Sequence, residues 1–467
     1  MELEFVGAAR TVTGSKHVVR TKDASVLLDC GLFQGPRRES IERNQSLGVD
    51  ARTLSAVVLS HAHIDHSGAL PILAKHGYDG PVYCTPATRD LCAAMLADAA
   101  SIQQSDARFI NTQIDRGQSD MERVEPLYDE DDVLRVLGAM ISVPYHRRLG
   151  IAPGVDLTFF DAGHVLGSAI TVLDVNEGGA RKRLVFTGDL GRKHMPILRD
   201  PECPQEADAL IIESTYGDRL HPPIEEMHEK LASVLARVFQ RGGKVIVPSF
   251  ALERAQEIVF ALKALERQGR MPPVPVYVDS PLTVKITDVF RLHPECFDAE
   301  TRELLSGSES PFDFDRLRYV SSTEDSKRID SDPSPAVIIS ASGMCEAGRI
   351  LHHLRASVED PKNAVLIVGF QAPHTLGRRI VEHRPRVRIF GVERDLRAEV
   401  VVMNGFSAHA DQRDLAEFVQ AARSGGKLKQ VVLVHGDPEP QRTLTEVLRR
   451  DGVERVLAPA AGDRVTV

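Results

Sequence analysis

The chain has 467 residues, 42% of them apolar and 26% charged, the proportions of a globular protein with room for two domains or a little more. No run of 18 apolar residues occurs, and MELEFVGAAR lacks the basic-then-apolar layout of a secretory leader, so a cytoplasmic protein with no membrane partner is expected. The net charge of −9 speaks against a globally basic nucleic-acid binder, although bound cations or a local basic groove could reverse that sign where it matters.

The first two hundred residues read as short apolar strands separated by turns: LEFVGAA, HVVRT, SVLLDCG, LSAVVLS, PVYCT, LTFFDAG, AITVLDV and RLVFTGDLG. Helices are expected over 86–100 and in DEDDVLRVLGAM, whose acidic start suits a helix N-terminus. The polar stretch 101–122 has little periodicity and reads equally as helix or loop. From about 225 the rhythm changes to strand–helix alternation, with KVIVPSF, VPVYVDS, AVIISASG and NAVLIVGF as strands, which indicates βαβ units on a parallel sheet. The segment 305–335, rich in Ser, Asp and Pro, reads as a loop-rich excursion, and short strands return after about 395. The chain therefore reads as one α+β domain interrupted by a βαβ insertion.

The six cysteines are scattered without a CxxC pair, so neither a disulfide frame nor a sulfur zinc site is expected. Histidine is more informative. HAHIDH places His61, His63, Asp65 and His66 on the loop beyond the apolar strand LSAVVLS. His61 and His63, two apart, can share one ion, and a turn must send Asp65 and His66 in a second direction, which suits two metals better than one. A single histidine here would read as a solvated loop residue; four metal-capable side chains in six positions do not. His164 in DAGHVLG, Asp189 in FTGDLG and His435 in VLVHGD likewise end apolar strands beside glycine. Nitrogen and carboxylate ligands without thiolate suit Zn²⁺, with Mn²⁺ or Fe as alternatives.

This set resembles the metallo-β-lactamase fold family and, more narrowly, its β-CASP nucleases. The resemblance rests on HAHIDH, on Asp29 in LLDCG, His164 in GHVLGS and Asp189 in TGDLG, and on Glu213 in IIESTYGDR, His409 in GFSAHAD and His435 in LVHGD. It implies an αββα metallo-β-lactamase fold (1–216 and 397–467) with an inserted β-CASP domain on a mainly parallel sheet (217–396). It also implies His61, His63 and His164 on one metal, Asp65, His66 and His435 on the other, and Asp189 bridging. Asp29 would orient a ligand or the bridging water. Two such cations, about 3.5–4 Å apart, would activate a water for in-line attack on phosphorus. His409 would then protonate the leaving ribose oxygen, held in its tautomer by Glu213. A histidine at the position of His435 is typical of RNA-acting members, and the chain looks like a compact bacterial or archaeal relative of the pre-mRNA 3′-processing endonuclease.

In the inserted domain, PSFALERAQE, DSPLT and ASGMCEAGR each follow a strand and open a helix, leaving backbone N–H groups for phosphate. Ser249, Ser280, Ser342 and Gly343, with Arg254 and Arg349, are the candidate RNA contacts; ordinary helix caps are the competing reading for the serines. GFQAPHTLGRRI adds His374, Arg378 and Arg379. Aromatic residues are only 5% with no tryptophan, so contacts should go mainly to the RNA backbone. The expectation is a zinc-dependent ribonuclease acting on single-stranded RNA, endonucleolytic or 5′-exonucleolytic, leaving 5′-phosphate and 3′-hydroxyl ends. A homodimer is left open. The rivals are a hydrolase of small esters or thioesters on the same metal core, and a non-catalytic RNA-binding subunit.

Overall fold

Along Val155–Asp161 every second residue is buried, and Val155, Leu157 and Phe159 turn into a core shared by two sheets. The computed structural model describes residues 1–35, 37–117, 122–307 and 309–467. It divides into two units, one formed by Met1–Lys193, Asp200–Leu220 and His409–Val467, the other by His194–Arg199 and His221–Ala408.

In the first unit one sheet runs, in spatial order, Arg464–Thr466, Glu2–Gly7, Lys16–Arg20, Ser25–Leu28, Ala56–Val58, Val82–Cys84 and Met140–Ser142. Its first four strands pair antiparallel, and Ser25–Leu28 onward pair parallel. The second sheet runs Val456–Leu457, Gln430–Val434, Ala209–Glu213, Ala180–Phe186, Ala169–Glu177, Val155–Asp161 and Leu149–Ala152. Leu3, Phe5, Val26 and Val58 of the first sheet meet Leu157, Phe159, Phe186 and Ile211 of the second in one core. On the outer side of the second sheet, Ile170, Val172, Leu210 and Leu433 pack on helices Gln412–Arg423 and Pro438–Arg450 through Leu415, Val419, Leu444 and Leu448. The strand Ala169–Glu177 is thus covered on both faces, which is why AITVLDV reads as a continuous apolar run instead of alternating. Helices Leu70–Lys75, Pro86–Asp115 and Glu130–Ala139 pack together beside the first sheet, completing the αββα layering.

The second unit is built on a six-stranded sheet in the order Leu317–Val320, Val276–Asp279, Val337–Ser340, Val245–Pro248, Ala364–Ile367 and Glu399–Val402. Every pairing in it is parallel, as the βαβ rhythm requires. A short hairpin, Arg386–Ile389 with Val392–Asp395, turns through Phe390 and Gly391, both at positive φ, the conformation a two-residue hairpin loop demands.

Three readings of the sequence change. The helix expected over 86–100 continues to Asp115, so most of the polar stretch 101–122 is helical; residues 118–121 of it lie outside the described residues. The stretch 305–335 is not loop throughout: it holds the strand Leu317–Val320 and the helix Thr323–Ser331. That helix is nearly all polar and is started by the Ser322 cap, which accepts from the Asp325 N–H at 3.0 Å, so it carries almost no apolar period to read. Finally, Glu399–Val402, expected to begin the closing strands of the first unit, pairs instead with Ala364–Ile367 at the edge of the parallel sheet. Among the described residues no helix is long and apolar enough to cross a membrane.

Candidate metal centre

Six strands of the first unit deliver the candidate residues from their C-terminal ends. Asp29 follows Ser25–Leu28, and HAHIDH follows Ala56–Val58. His164 and Asp189 lie just past Val155–Asp161 and Ala180–Phe186, Glu213 ends Ala209–Glu213, and His435 follows Gln430–Val434. Within HAHIDH the chain turns at once into the short helix Ile64–Ser67, so His61 and His63 point one way from extended backbone while Asp65 and His66 stand on the helix. That turn needs Gly31 alongside, because a Cβ there would sit 1.6 Å from the Asp65 carbonyl oxygen.

The side chains gather into two groups of metal-capable atoms, His61, His63, His164 and Asp189 in one, Asp65, His66 and His435 in the other. His61 Nε2 lies 3.1 Å from His63 Nδ1, and His66 Nε2 lies 3.3 Å from His435 Nε2. Two nitrogens held about 2.0–2.1 Å from one tetrahedral zinc would lie about 3.3–3.4 Å apart, so these spacings are those of shared ligands. Asp189 presents one oxygen to each group. Its Oδ2 is 3.5 Å from His61 Nε2 and 3.6 Å from His164 Nε2; its Oδ1 is 3.3 Å from His66 Nε2 and 3.2 Å from His435 Nδ1. Both ring nitrogens of His164 and Oδ1 of Asp189 are buried without a hydrogen-bond partner among the described residues. Buried polar atoms are normally satisfied, so orphans facing a cluster of imidazoles fit a site made for cations.

The surrounding hydrogen bonds set which ring atom faces inward. Asp29, fully buried, accepts from His66 Nδ1 at 2.7 Å, from Ser60 N–H at 2.8 Å and from the Ser60 and Ser15 hydroxyls at 3.0 and 3.2 Å. His66 is thereby left with Nε2 toward the cluster. The Ser60 hydroxyl, donating to Asp29, accepts from His61 Nδ1 at 3.0 Å, which turns the His61 Nε2 lone pair inward as well. Thr215 Oγ1 sits 3.2 Å from His435 Nδ1. Neither Ser60 nor Thr215 was among the residues singled out in the sequence; their only signal is adjacency to motif residues, Ser60 before His61 and Thr215 two beyond Glu213. Asp29 and His435 both hold φ in the left-handed region, at 57° and 47°, a local strain often found at functional sites. Asp29→Asn, which replaces the charged acceptor of His66 by a neutral amide of the same size, should weaken metal affinity about 10–100-fold. Metal titration against a chromophoric chelator checks this; unaltered affinity would show that the orienting bond has no role.

The electrostatics divide the ligands: burial acts to lower His66, but Asp189 and Asp29 raise it well above the ordinary imidazole range, so without cations it holds a proton that a metal must displace. Burial holds His61 and His164 well below the ordinary imidazole range and brings His63 to about 4, so all three are neutral. For Asp189 burial acts to raise the carboxyl, but His435 and His66 pull it well below the usual range. His409 stands beside this cluster with Nδ1 3.0 Å from Glu213 Oε1 and 3.9 Å from Asp189 Oδ2. Glu213 is fully buried and also accepts from the N–H of Leu190 at 2.7 Å and of Thr215 at 3.3 Å. An ionised carboxylate only accepts, so Nδ1 of His409 carries the proton. Burial works against a His409 cation, yet Glu213, Asp189 and Asp65 raise it to about 9, a value that cations in the neighbouring groups would lower. The competing role for His409, capping the following helix, falls to Asp411, which accepts from the N–H groups of Arg413 and Asp414 at 2.9 and 3.1 Å.

Comparison with known proteins gives the family. Residues 13–249 match the metallo-beta-lactamase superfamily, 255–380 the Beta-Casp domain, and 393–459 the Zn-dependent metallo-hydrolase RNA specificity domain. A protein named Ribonuclease TTHA0252 from Thermus thermophilus is 38% identical over 98% of this chain and 98% of its own length. The chain belongs to the metallo-β-lactamase superfamily, in its β-Casp branch. Proteins named transcription termination factor FttA are also similar, at 32% identity in Methanosarcina mazei and 31% in Methanocaldococcus jannaschii. The match covers 92% and 100% of this chain but 66% and 72% of those longer proteins. In overall fold the chain resembles a crystal structure of a protein of unknown function from Enterococcus faecalis, with TM-score 0.54, 12% identity and coverage of 100% and 99%. Membership of this hydrolase family implies divalent metal ions, for which the two ligand groups are the candidate positions.

The candidate RNA contacts of this β-Casp hydrolase lie in the second unit, and most are engaged internally. Ser280 caps the helix Pro281–Leu292 by accepting from Thr283 N–H at 3.3 Å. Ser342 accepts from the N–H groups of Glu346 and Ala347 at 3.1 and 3.3 Å, and Ser249 donates to the Phe250 carbonyl at 3.0 Å. Gly343 lies against the Phe250 ring, where a Cβ would come within 2.8 Å of a ring carbon. Arg254 is buried and paired with Glu257, and Arg349 is paired with the fully buried Asp279. These two guanidiniums therefore neutralise carboxylates within their own unit, a demand that sequence reading does not expose. His374, Arg378 and Arg379 instead line an open cavity.

Proposed function

We propose that this β-Casp hydrolase is a zinc-dependent ribonuclease that cuts phosphodiester bonds of single-stranded RNA, leaving 5′-phosphate and 3′-hydroxyl ends. The observation that carries the reading is the pair Glu213–His409, 3.0 Å apart and set beside the two ligand groups that Asp189 joins. A metal site alone would serve a lactonase equally; a histidine with a proton to give suits a substrate whose leaving group is a ribose alkoxide. The match to an RNA specificity domain and the likeness to a named ribonuclease support RNA as substrate.

In this reading His61, His63 and His164 hold one ion, Asp65, His66 and His435 the other, and Asp189 holds both. Bound there, divalent ions supply Lewis acidity to the phosphoryl oxygens and lower the pKa of a coordinated water. The chain's own residues do the rest. Asp29 and Ser60 keep the rings of His66 and His61 in the tautomer that leaves Nε2 free of its proton. Glu213 accepts from Nδ1 of His409 and favours its imidazolium, whose Nε2 proton passes to the departing 3′-oxygen and leaves a neutral ring still protonated on Nδ1. Endonucleolytic and 5′-exonucleolytic action are distinguished by the products. The cytoplasm, where RNA and the free cysteines of this chain coexist, belongs to the same proposal.

The test is direct. Purified protein, a labelled single-stranded RNA, and zinc or EDTA should give cleavage with zinc and none with EDTA. Product ends are then checked by phosphatase and ligase sensitivity. Undiminished cutting in a metal-clean preparation would sink the reading, and binding without cutting would favour an RNA-binding subunit.

A further inference from the structure

The global charge of −9 conceals a strong local reversal: between residues 378 and 397 the chain carries seven arginines and three acidic residues. The structure folds this segment around an open cavity of about 1060 Å³ within the second unit. Arg378, Arg379, Arg384, Arg386 and Arg397 line it, with Glu382 and Asp395 as the acidic members. Each carboxylate is shared by two arginines. Glu382 receives Arg378 Nε at 2.9 Å and Arg384 Nε at 3.1 Å; Asp395 receives Arg386 Nε at 3.3 Å and Arg397 Nη2 at 2.8 Å. Arg379 has no carboxylate partner among the described residues. Five guanidiniums against two carboxylates leave a net excess of three positive charges, and the shared pairing fixes the forks while sparing other N–H donors. Phe370, 55% exposed, forms part of the same wall, beside His374.

Like charges gathered in this way cost free energy in the empty protein, so a polyanion is the natural occupant. Planar forks match phosphate oxygens, and an exposed ring offers a face for a base, the combination by which single strands are held without sequence preference. We infer that this arginine-lined groove binds the phosphate backbone of single-stranded RNA, as a holding site in the second unit that takes no part in bond cleavage. The inference rests on RNA being the substrate and adds a location for it. The groove's charge comes chiefly from Arg384, Arg386 and Arg397, which lie outside the candidate contacts of the sequence reading.

The experiment uses the full chain and the double variant Arg384→Gln/Arg386→Gln, both exposed positions whose loss leaves no buried charge. Affinity for a labelled oligouridylate of about 20 nucleotides is measured in EDTA over a range of salt. Hydrolysis of bis(p-nitrophenyl) phosphate with zinc reports the chemical step on a substrate too small to span a groove. The double variant should bind RNA about 10-fold more weakly, with the salt slope reduced by about two, and hydrolyse the small diester at the parent rate. Phe370→Ala should weaken binding with the salt slope unchanged. If the parent cuts RNA and the variants bind and cut it equally well, the groove is overturned and the ribonuclease reading stands. If the parent hydrolyses the small diester but neither binds nor cuts RNA, the ribonuclease reading fails and this inference with it. If the double variant loses binding to polyglutamate while keeping RNA, the groove takes an acidic protein segment and the inference is wrong.

Discussion

Asp189→Ala is expected to lower RNA cleavage by at least about 10³-fold and to reduce bound metal in both ligand groups together. The reason is geometric. Among the described residues Asp189 is the carboxylate with an oxygen near each group, 3.5 and 3.6 Å from His61 and His164 on one side and 3.3 and 3.2 Å from His66 and His435 on the other. It is also the central anion among buried imidazoles, so its loss removes the charge that favours cations there. His63→Ala should act differently, since His63 belongs to a single group. Metal analysis after exhaustive dialysis separates the two: the Asp189 variant should fall well below the parent stoichiometry, and the His63 variant by about half. Zinc should raise the melting temperature of the parent, because a ligand that binds only the folded state stabilises it, and should do so far less for Asp189→Ala. A variant that keeps the parent's metal content and rate would remove Asp189 from the centre.

His409→Ala is expected to slow RNA cleavage by about 10²–10⁴-fold, the usual cost of a lost general acid, with metal content unchanged. The same variant should lose much less on bis(p-nitrophenyl) phosphate, whose leaving group departs without needing a proton. This split reads the role itself, because loss of fold or of metal would slow both substrates alike. The rival assignment is real: Asp189, Glu213 and His409 also lie close enough to hold an ion. Equal losses on both substrates, together with loss of metal, would place His409 among the ligands and leave the leaving group without its donor.

Much of the architecture was legible in the residues because strands and helices leave periods in the sequence. Apolar runs of four to eight residues ending in glycine marked the strands before Asp189 and His435, and the strand–helix rhythm after 225 marked the parallel sheet. The helix Thr323–Ser331 was not legible, since its residues are almost all polar and its start depends on one serine hydroxyl. The edge strand Glu399–Val402 looked like any short apolar strand; its partner is chosen by sheet order, which local pattern does not encode.

For the site, the sequence by itself determined which side chains with metal-binding chemistry stand at strand ends, since that follows from local pattern alone. Spacing suggested one ion for His61 and His63 and a second for Asp65 and His66, while the full ligand sets and the bridging role of Asp189 came from family resemblance. Only the tertiary structure decided what surrounds them: that Ser60 links Asp29 to His61, and that Thr215 meets His435 across 220 residues. It also decided which cations are already committed. Arg254 and Arg349, chosen as phosphate contacts, answer buried carboxylates, while arginines beyond Arg379 that seemed unremarkable in the chain converge on one groove. The physical reason is common to all of these: a side chain's chemistry is carried by its own residue, but its charge balance and hydrogen-bond partners are set by neighbours distant in sequence.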